Sequence, residues 1–206
     1  PLYVSLELTN NCVLRCNGCF TPGQVREIGE MGIANFKKLI DDLSSKQFCG
    51  TLILEGGEPL LNEKAVEMVA YAHEKDIKTC IVSNAVLLTP EKVKALIEGG
   101  LDILSVSFGS VNHEGYKKYS NTDYFETALQ NILNFLDTKL KSGAEKPFFQ
   151  VTCVEGQMNE VEYKTWMDFF GRLPIENLDY YPFFNWGGIV PSRGRLLKEL
   201  VFCNFP

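Results

Sequence analysis

The sequence predicts an α/β fold in which six parallel strands and their helices form a partial barrel. Six short apolar runs recur along the 206 residues, and segments of helical periodicity alternate with them. No low-complexity linker interrupts this alternation, which is typical of a parallel sheet with helices outside it. Six strand–helix units are fewer than the eight of a closed barrel, so we expect an open (β/α)6 barrel of the TIM type. A flat doubly wound sheet is the competing architecture.

The predicted strands are short and rich in apolar residues, as expected of strands buried on both faces. They cover residues 3–8, 51–54, 77–82, 102–108, 148–154 and 178–184. In a parallel barrel the loops that leave the carboxyl ends of the strands gather at one face. We therefore expect the segments after these strands, including Ser83, Asn84, Ser107 and Asn185, to meet at one site.

Helical periodicity and capping residues place helices between the strands. The apolar stripes are formed by Phe36, Leu39, Ile40 and Leu43; by Ala65, Val66, Val69 and Ala70; by Phe125, Leu129, Ile132, Leu133 and Leu136; and by Trp166, Met167 and Phe170. Asn62 and Thr89 are the predicted helix caps, and Asn159 with Glu162 forms a predicted capping box. The polar stretch around His113 is expected to be a loop.

Composition excludes several classes of protein. The net charge is −6 without a basic block, whereas a protein that holds nucleic acid through its phosphates needs a concentration of Lys and Arg. No apolar run approaches the ~20 residues of a membrane span, and we find no charged-then-apolar leader that would indicate export. The chain lacks an initial Met and ends abruptly, so we expect it to be a piece of a longer protein. A reducing, cytoplasmic setting suits its seven cysteines.

Three of the cysteines follow the first predicted strand at C-x3-C-x2-C spacing: Cys12, Cys16 and Cys19. Three thiolates on one short loop can converge on a single centre. A structural zinc site needs four ligands, and so does a closed [4Fe–4S] cluster. Three cysteines would therefore leave one iron of such a cluster open to a small molecule. The alternative is a structural site whose fourth ligand comes from elsewhere in the chain.

This cysteine spacing, followed by the sequence GGEP at 56–59 after the second strand, resembles the radical S-adenosylmethionine (SAM) enzymes. The resemblance covers residues 4–185. It implies that Cys12, Cys16 and Cys19 hold a [4Fe–4S] cluster whose open iron is chelated by SAM. It also implies reductive cleavage of SAM to a 5′-deoxyadenosyl radical, which abstracts a hydrogen atom from the substrate.

The resemblance assigns cofactor-binding roles to residues at the carboxyl ends of the strands. The set comprises Phe20, Gly56, Gly57, Glu58, Ser83, Asn84 and Ser107. The two glycines permit close backbone approach, and the carboxylate of Glu58 can accept hydrogen bonds from an ammonium group. Phe20 would contact adenine, because Gly18 stands where many relatives carry an aromatic residue. For the hydroxyl and amide groups, the alternative is that they cap strand ends.

Two positions depart from the family pattern. Ala85 replaces the glycine that commonly follows a Thr-Asn pair at the end of the third strand. Gly109 stands where many relatives carry Asp. The resemblance therefore does not predict the backbone conformation of the turn at Ala85.

The remaining cysteines divide into two groups. Cys49, Cys80 and Cys153 are expected to be buried thiols that behave as small apolar residues. Cys203 lies in a tail, residues 186–206, that resembles the start of a cysteine-rich SPASM or twitch extension. By that resemblance residues 1–185 form the radical SAM core, and Cys203 is a ligand of an auxiliary iron–sulfur cluster. The alternative for Cys203 is a free thiol.

The resemblance implies an enzyme that acts on a peptide or a small molecule and receives electrons from a donor such as flavodoxin or ferredoxin. Two alternatives stay open at this point. One is a glycyl-radical activating enzyme of the same superfamily. The other is a non-catalytic protein that uses its iron–sulfur or zinc centre for electron transfer or structure.

Overall fold

The structure, a computed structural model, describes residues 2–182 and contains one six-stranded sheet. The strands are β1 (Tyr3–Thr9), β2 (Thr51–Gly56), β3 (Lys78–Ser83), β4 (Ile103–Ser107), β5 (Phe148–Val154) and β6 (Asn177–Tyr181). They lie side by side in chain order, and every neighbouring pair is parallel. The predicted α/β class and parallel sheet are thus confirmed. Residues 183 and 184, the end of the predicted sixth strand, lie outside the described residues.

Six helices connect the strands. They are α1 (Ile33–Ser45), α2 (Ala65–Glu74), α3 (Pro90–Glu98), α4 (His113–Ser120), α5 (Phe125–Ser142) and α6 (Glu160–Phe170). Among the described residues, none of these helices is long and apolar enough to cross a membrane.

Helix α4 corrects the prediction of a loop around His113. Its first turn is capped by Asn112, whose side chain accepts a hydrogen bond from the amide of Gly115 at 2.8 Å. Only Tyr116 and Ser120 are buried in this helix, so it has no apolar stripe for periodicity to detect.

Two predicted caps are confirmed and one is wrong. Thr89 accepts a hydrogen bond from the amide of Lys92 at 3.4 Å, and the capping box of Asn159 and Glu162 is present. Helix α2 begins at Ala65 with Lys64 as its cap. The side-chain NH2 group of Asn62 donates to the backbone carbonyls of Leu8 and Met31, at 3.1 and 2.9 Å. Asn62 therefore joins the end of β1 to the segment before α1.

The prediction of strands buried on both faces holds only in part, because the face away from the helices is less completely buried. Residues that point towards the helices are fully buried, such as Leu52, Leu54, Leu104, Val106 and Phe149. The alternate residues are a mixture of apolar and polar side chains, and the side-chain amide of Gln150 donates to the buried Ser105 hydroxyl at 2.9 Å. One side of the sheet is therefore the main core, and the other side carries some polar groups that bond to each other across strands.

Helix α6 closes the core next to β4. The indole of Trp166 is fully buried, and its N–H donates to the carbonyl of Phe108 at 2.8 Å. Met167, predicted to be buried, is 38% exposed because it lies at the edge of the buried stripe, about 100° around the helix from Trp166. Cys80 and Cys153 are buried as predicted, whereas Cys49 is exposed at the amino end of β2.

Candidate functional site

The three cysteines lie on a loop that leaves the carboxyl end of β1, here called the cysteine loop (residues 10–20). Cys12, Cys16 and Cys19 are half-buried free thiols. Burial raises the pKa of Cys16 to about 12, and the charges of Cys19 and Cys12 contribute to this rise. The three sulfur atoms therefore lie within electrostatic reach of one another. Bare thiolates are disfavoured there, and a positively charged metal centre would offset their repulsion.

The thiol groups do not converge on one point. In the part of the chain that the structure describes, no three His, Cys, Asp or Glu side chains are close enough to hold a single metal ion. In a four-iron cluster each cysteine binds a different iron atom, so the ligands need not meet at one centre. The donor set, three free thiols on one loop, fits such a cluster.

The Gly56–Glu58 turn packs directly against the cysteine loop. The amide of Gly57 donates to the carbonyl of Thr9 at 2.7 Å, and the amide of Glu58 donates to that of Asn11 at 2.8 Å. A Cβ on Gly57 would lie 1.9 Å from the carbonyl oxygen of Asn11. Only glycine permits this contact. The close backbone approach expected of these glycines is therefore made to the cysteine loop itself.

The carboxylate of Glu58 is fully buried and is bonded within the protein. It accepts from the Ser83 hydroxyl at 2.9 Å, from the Asn84 amide at 2.8 Å and from the Leu60 amide at 3.1 Å. Burial raises the pKa of Glu58, while these hydrogen bonds act in the opposite direction. The structure thus brings Glu58, Ser83 and Asn84 together. The Ser83 hydroxyl and the Asn84 backbone amide both donate to the Glu58 carboxylate. Their roles towards a cofactor stay a prediction.

Asn84 links this network to the cysteine loop, since its side-chain amide lies 3.6 Å from the sulfur of Cys12. The next residue, Ala85, has φ +64, the left-handed conformation that glycine adopts without strain. The side chain of Asn131 donates to the carbonyls of Ala85 and Val86, at 2.9 and 3.0 Å, and so stabilises the turn. Ala85 therefore adopts the left-handed conformation at this turn although it is not a glycine.

The other predicted cofactor residues are spread around the same end of the sheet. Ser107 is exposed at the end of β4, and Phe20 is half-buried beside the 3-10 turn Thr21–Gly23. Their contacts with a cofactor stay predictions. At Gly109, a Cβ would lie 1.7 Å from the side-chain oxygen of Gln157, so a larger residue there would require the Gln157 side chain to move. Asn185 and Cys203 lie outside the described residues.

Helix α4 holds the cysteine loop from the other side. The amides of Arg15 and Asn17 donate to the carbonyls of Ser120 and Tyr119, at 3.0 and 2.7 Å. The side chain of Asn17 donates to the carbonyl of Lys118 at 2.7 Å. The last carbonyl groups of a helix lack partners within the helix. In this protein the cysteine loop supplies the missing donors.

Asn121, the residue after α4, completes this attachment. It takes the left-handed conformation with φ +53, and its side chain donates to the Arg15 carbonyl at 2.8 Å and to the Asn17 side chain at 3.2 Å. Sequence reasoning missed this role. The available signals were a capping residue, Asn112, and an Asn eight residues after His113 that tolerates the left-handed conformation.

Comparison with known proteins agrees with this geometry. Residues 6–149 match the family model of the Radical SAM superfamily, a range that includes all three loop cysteines and the Gly56–Glu58 turn. The chain belongs to the radical SAM superfamily. The Fe-coproporphyrin III synthase of Methanosarcina barkeri is 33% identical over 139 residues, which are 66% of this chain and 34% of that protein. The PqqA peptide cyclase of Rhodopseudomonas palustris is 35% identical over 111 residues, 52% of this chain and 29% of that protein.

Solved structures share the fold. Streptococcus suis SuiB bound to its precursor peptide SuiA superposes with a TM-score of 0.80 at 15% identity, covering 95% of this chain and 42% of that one. Methylornithine synthase (PylB) gives 0.69 at 14% identity, covering 88% of this chain and 53% of that one. The chain thus spans about a third of the curated relatives described above, and about half or less of these solved chains.

Replacing Glu58 with Gln tests whether this carboxylate holds the site together. We expect Glu58→Gln to lower the free energy of unfolding by about 2–3 kcal/mol, because a side-chain amide would place an NH2 group against a backbone N–H donor. Urea denaturation of the cluster-free protein measures this. The control is Glu67→Gln, which removes an exposed carboxylate from α2 and should cost less than about 1 kcal/mol. Equal losses in the two variants would contradict the assignment.

Replacing Asn121 with Gly tests the attachment of the cysteine loop to α4. Glycine keeps the left-handed backbone but removes two side-chain hydrogen bonds, so amide exchange in residues 11–20 should rise roughly tenfold. Hydrogen–deuterium exchange with mass spectrometry reads this segment directly. Asp76→Gly is the matched control, since Asp76 also has a positive φ, +57, and follows α2. Unchanged exchange, or an equal rise in the control, would show that Asn121 does not hold the loop.

Proposed function

We propose that this chain is the catalytic core of a radical SAM enzyme, with Cys12, Cys16 and Cys19 as the ligands of a [4Fe–4S] cluster. The observation that carries the proposal is the free three-thiol loop after β1, held between the Gly56–Glu58 turn and α4. Membership of the superfamily supports it. When bound, the cluster supplies the electron that cleaves SAM into methionine and the 5′-deoxyadenosyl radical, which then takes a hydrogen atom from the substrate.

The residues around the cluster position SAM rather than react with it. The buried Glu58 network fixes Asn84 beside Cys12, and the half-buried backbone of Gly56 and Gly57 faces the same loop. Ser107 offers an exposed hydroxyl at the end of β4. We propose that Phe20 contacts adenine. In this arrangement the protein supplies orientation, and it excludes water where the loop packs on the turn.

The substrate that these comparisons favour is a peptide, with a small molecule as the alternative. Relatives named PqqA peptide cyclase support the first choice, and the relative named Fe-coproporphyrin III synthase supports the second. The face of the sheet away from the helices carries polar side chains such as the half-buried Gln150, which suits a substrate that forms hydrogen bonds. A small redox protein such as flavodoxin or ferredoxin would supply the electron, and a reducing cytoplasm would preserve the cluster.

Replacing Cys16 with Ala tests this function. We expect the variant to lose cluster binding and to produce no 5′-deoxyadenosine from SAM, because the cluster would keep only two protein ligands. Far-UV circular dichroism should stay unchanged. The measurements are anaerobic reconstitution, the EPR spectrum of the reduced protein with and without SAM, and chromatographic assay of 5′-deoxyadenosine.

Cys49→Ala is the matched control, since this exposed thiol lies at the opposite end of the sheet. It should leave the EPR spectrum and 5′-deoxyadenosine production unchanged. Full 5′-deoxyadenosine production by Cys16→Ala would refute the ligand assignment. An EPR spectrum that does not respond to SAM would point to electron transfer, and a protein that binds zinc in place of iron would point to a structural site.

For the tail, residues 186–206, we propose the start of a SPASM or twitch extension in which Cys203 binds an auxiliary cluster. If so, in a protein extended past Pro206 to supply the other ligands, Cys203→Ala should lower the iron content below that of the unsubstituted protein while the EPR response to SAM remains. A colorimetric iron assay measures this. An unchanged iron content would identify Cys203 as a free thiol.

A further inference from the structure

Tyr116 of α4 carries a buried hydroxyl group that has no hydrogen-bond partner within the described residues. The residue is only 5% exposed. Leaving such a group unpaired destabilises the folded protein, and a phenylalanine would avoid this destabilisation. Buried polar groups in folded proteins almost always have a partner, so this hydroxyl requires an explanation.

The position of Tyr116 on its helix places it next to the cysteine loop. It lies three and four residues before Tyr119 and Ser120, whose carbonyls accept the amides of Asn17 and Arg15. Residues at these spacings share one face of a helix. Tyr116 and Ser120 are the two buried residues of α4. Tyr116 belongs to the buried core against which Cys12 and Cys16 pack.

Aromatic packing fixes the ring and therefore the direction of the hydroxyl. The ring centroid of Tyr116 lies 5.6 Å from that of Phe108 and 5.9 Å from that of Phe125. Because the side chain is packed on both of these rings, it cannot turn towards solvent without breaking the packing. The hydroxyl is therefore held where it is.

The charged groups around the hydroxyl are those of the site. Burial raises the pKa of Tyr116, and the charges of Cys16, Cys12 and Glu58 raise it further. The phenol thus keeps its proton at neutral pH and can act as a donor. Glu58 already accepts from three groups, so its oxygen atoms are engaged. The sulfur atoms of Cys16 and Cys12 pack against the same buried core, so they and whatever they bind are candidate acceptors.

We propose that the Tyr116 hydroxyl donates a hydrogen bond to an anionic sulfur on the Cys16 side of the cluster. The inference rests on the proposed function, because it requires a cluster at Cys12, Cys16 and Cys19. A hydrogen bond to a cluster sulfur stabilises the reduced state, which carries more negative charge, and so raises the reduction potential. Tyr116 would then set how readily the cluster accepts its electron.

The test replaces Tyr116 with Phe, which removes the hydroxyl and keeps the packed ring. In the protein reconstituted with iron and sulfide but without SAM, the equilibrium between reduced and oxidised cluster should shift on the order of tenfold towards the oxidised form. For a one-electron couple this corresponds to a midpoint potential lower by ~59 mV. An EPR redox titration measures it. In the cluster-free protein the midpoint of thermal unfolding should stay equal or rise, because an unpaired hydroxyl is lost.

Tyr71→Phe is the control, since Tyr71 donates to Asp41 at 2.7 Å on the outer surface and lies far along the chain from the cysteine loop. It should leave the potential unchanged. An unchanged potential in Tyr116→Phe would overturn the proposal. A shift that occurs only after SAM is added would also overturn it, because the acceptor would then belong to SAM.

A lower unfolding midpoint for cluster-free Tyr116→Phe would overturn the proposal by revealing a partner within the protein. Failure of the unsubstituted protein to form any cluster is a separate result. It would refute the proposed function itself, and it is recognised before any variant is compared.

Discussion

The buried carboxylate of Glu58 is the contact on which the rest of the site depends. A carboxylate removed from water must be matched by donors, and all three of its donors come from the protein. They join the turn after β2 to the end of β3. Because Asn84 is held in this way, its side chain lies beside Cys12, and the Gly56–Glu58 backbone is pressed against Thr9 and Asn11.

The cysteine loop has little regular structure of its own and is held from two sides. On one side the Gly57 and Glu58 amides bond to its start; on the other, the end of α4 accepts its Arg15 and Asn17 amides. Residues from three distant parts of the chain must therefore be in place before the loop has a defined shape. The loop is thus shaped by contacts between residues that are far apart in the sequence. Contacts of this kind lower the folding rate.

The sequence contains enough local information for the strands, most helices and the cysteine loop, because period, caps and spacing are local properties. Thr89 and the Asn159–Glu162 pair are examples, since each cap acts within three residues. Helix α4 could not be found by periodicity, because it buries only two side chains. The partners of Glu58 at Ser83 and Asn84 lie 25 and 26 residues away, so no local pattern reveals that its carboxylate is engaged.

The same hydrogen bonds decide which groups remain free to meet a ligand. Family resemblance gives Glu58, Ser83 and Asn84 a role towards SAM, yet in this chain the carboxylate of Glu58, the hydroxyl of Ser83 and the amide of Asn84 already serve each other. In this structure the first two form a buried support for the loop, whereas the hydroxyl of Ser107 is accessible. The roles of all these residues towards SAM stay predictions. At this end of the sheet some polar residues thus serve as scaffold, and others stay accessible at the surface.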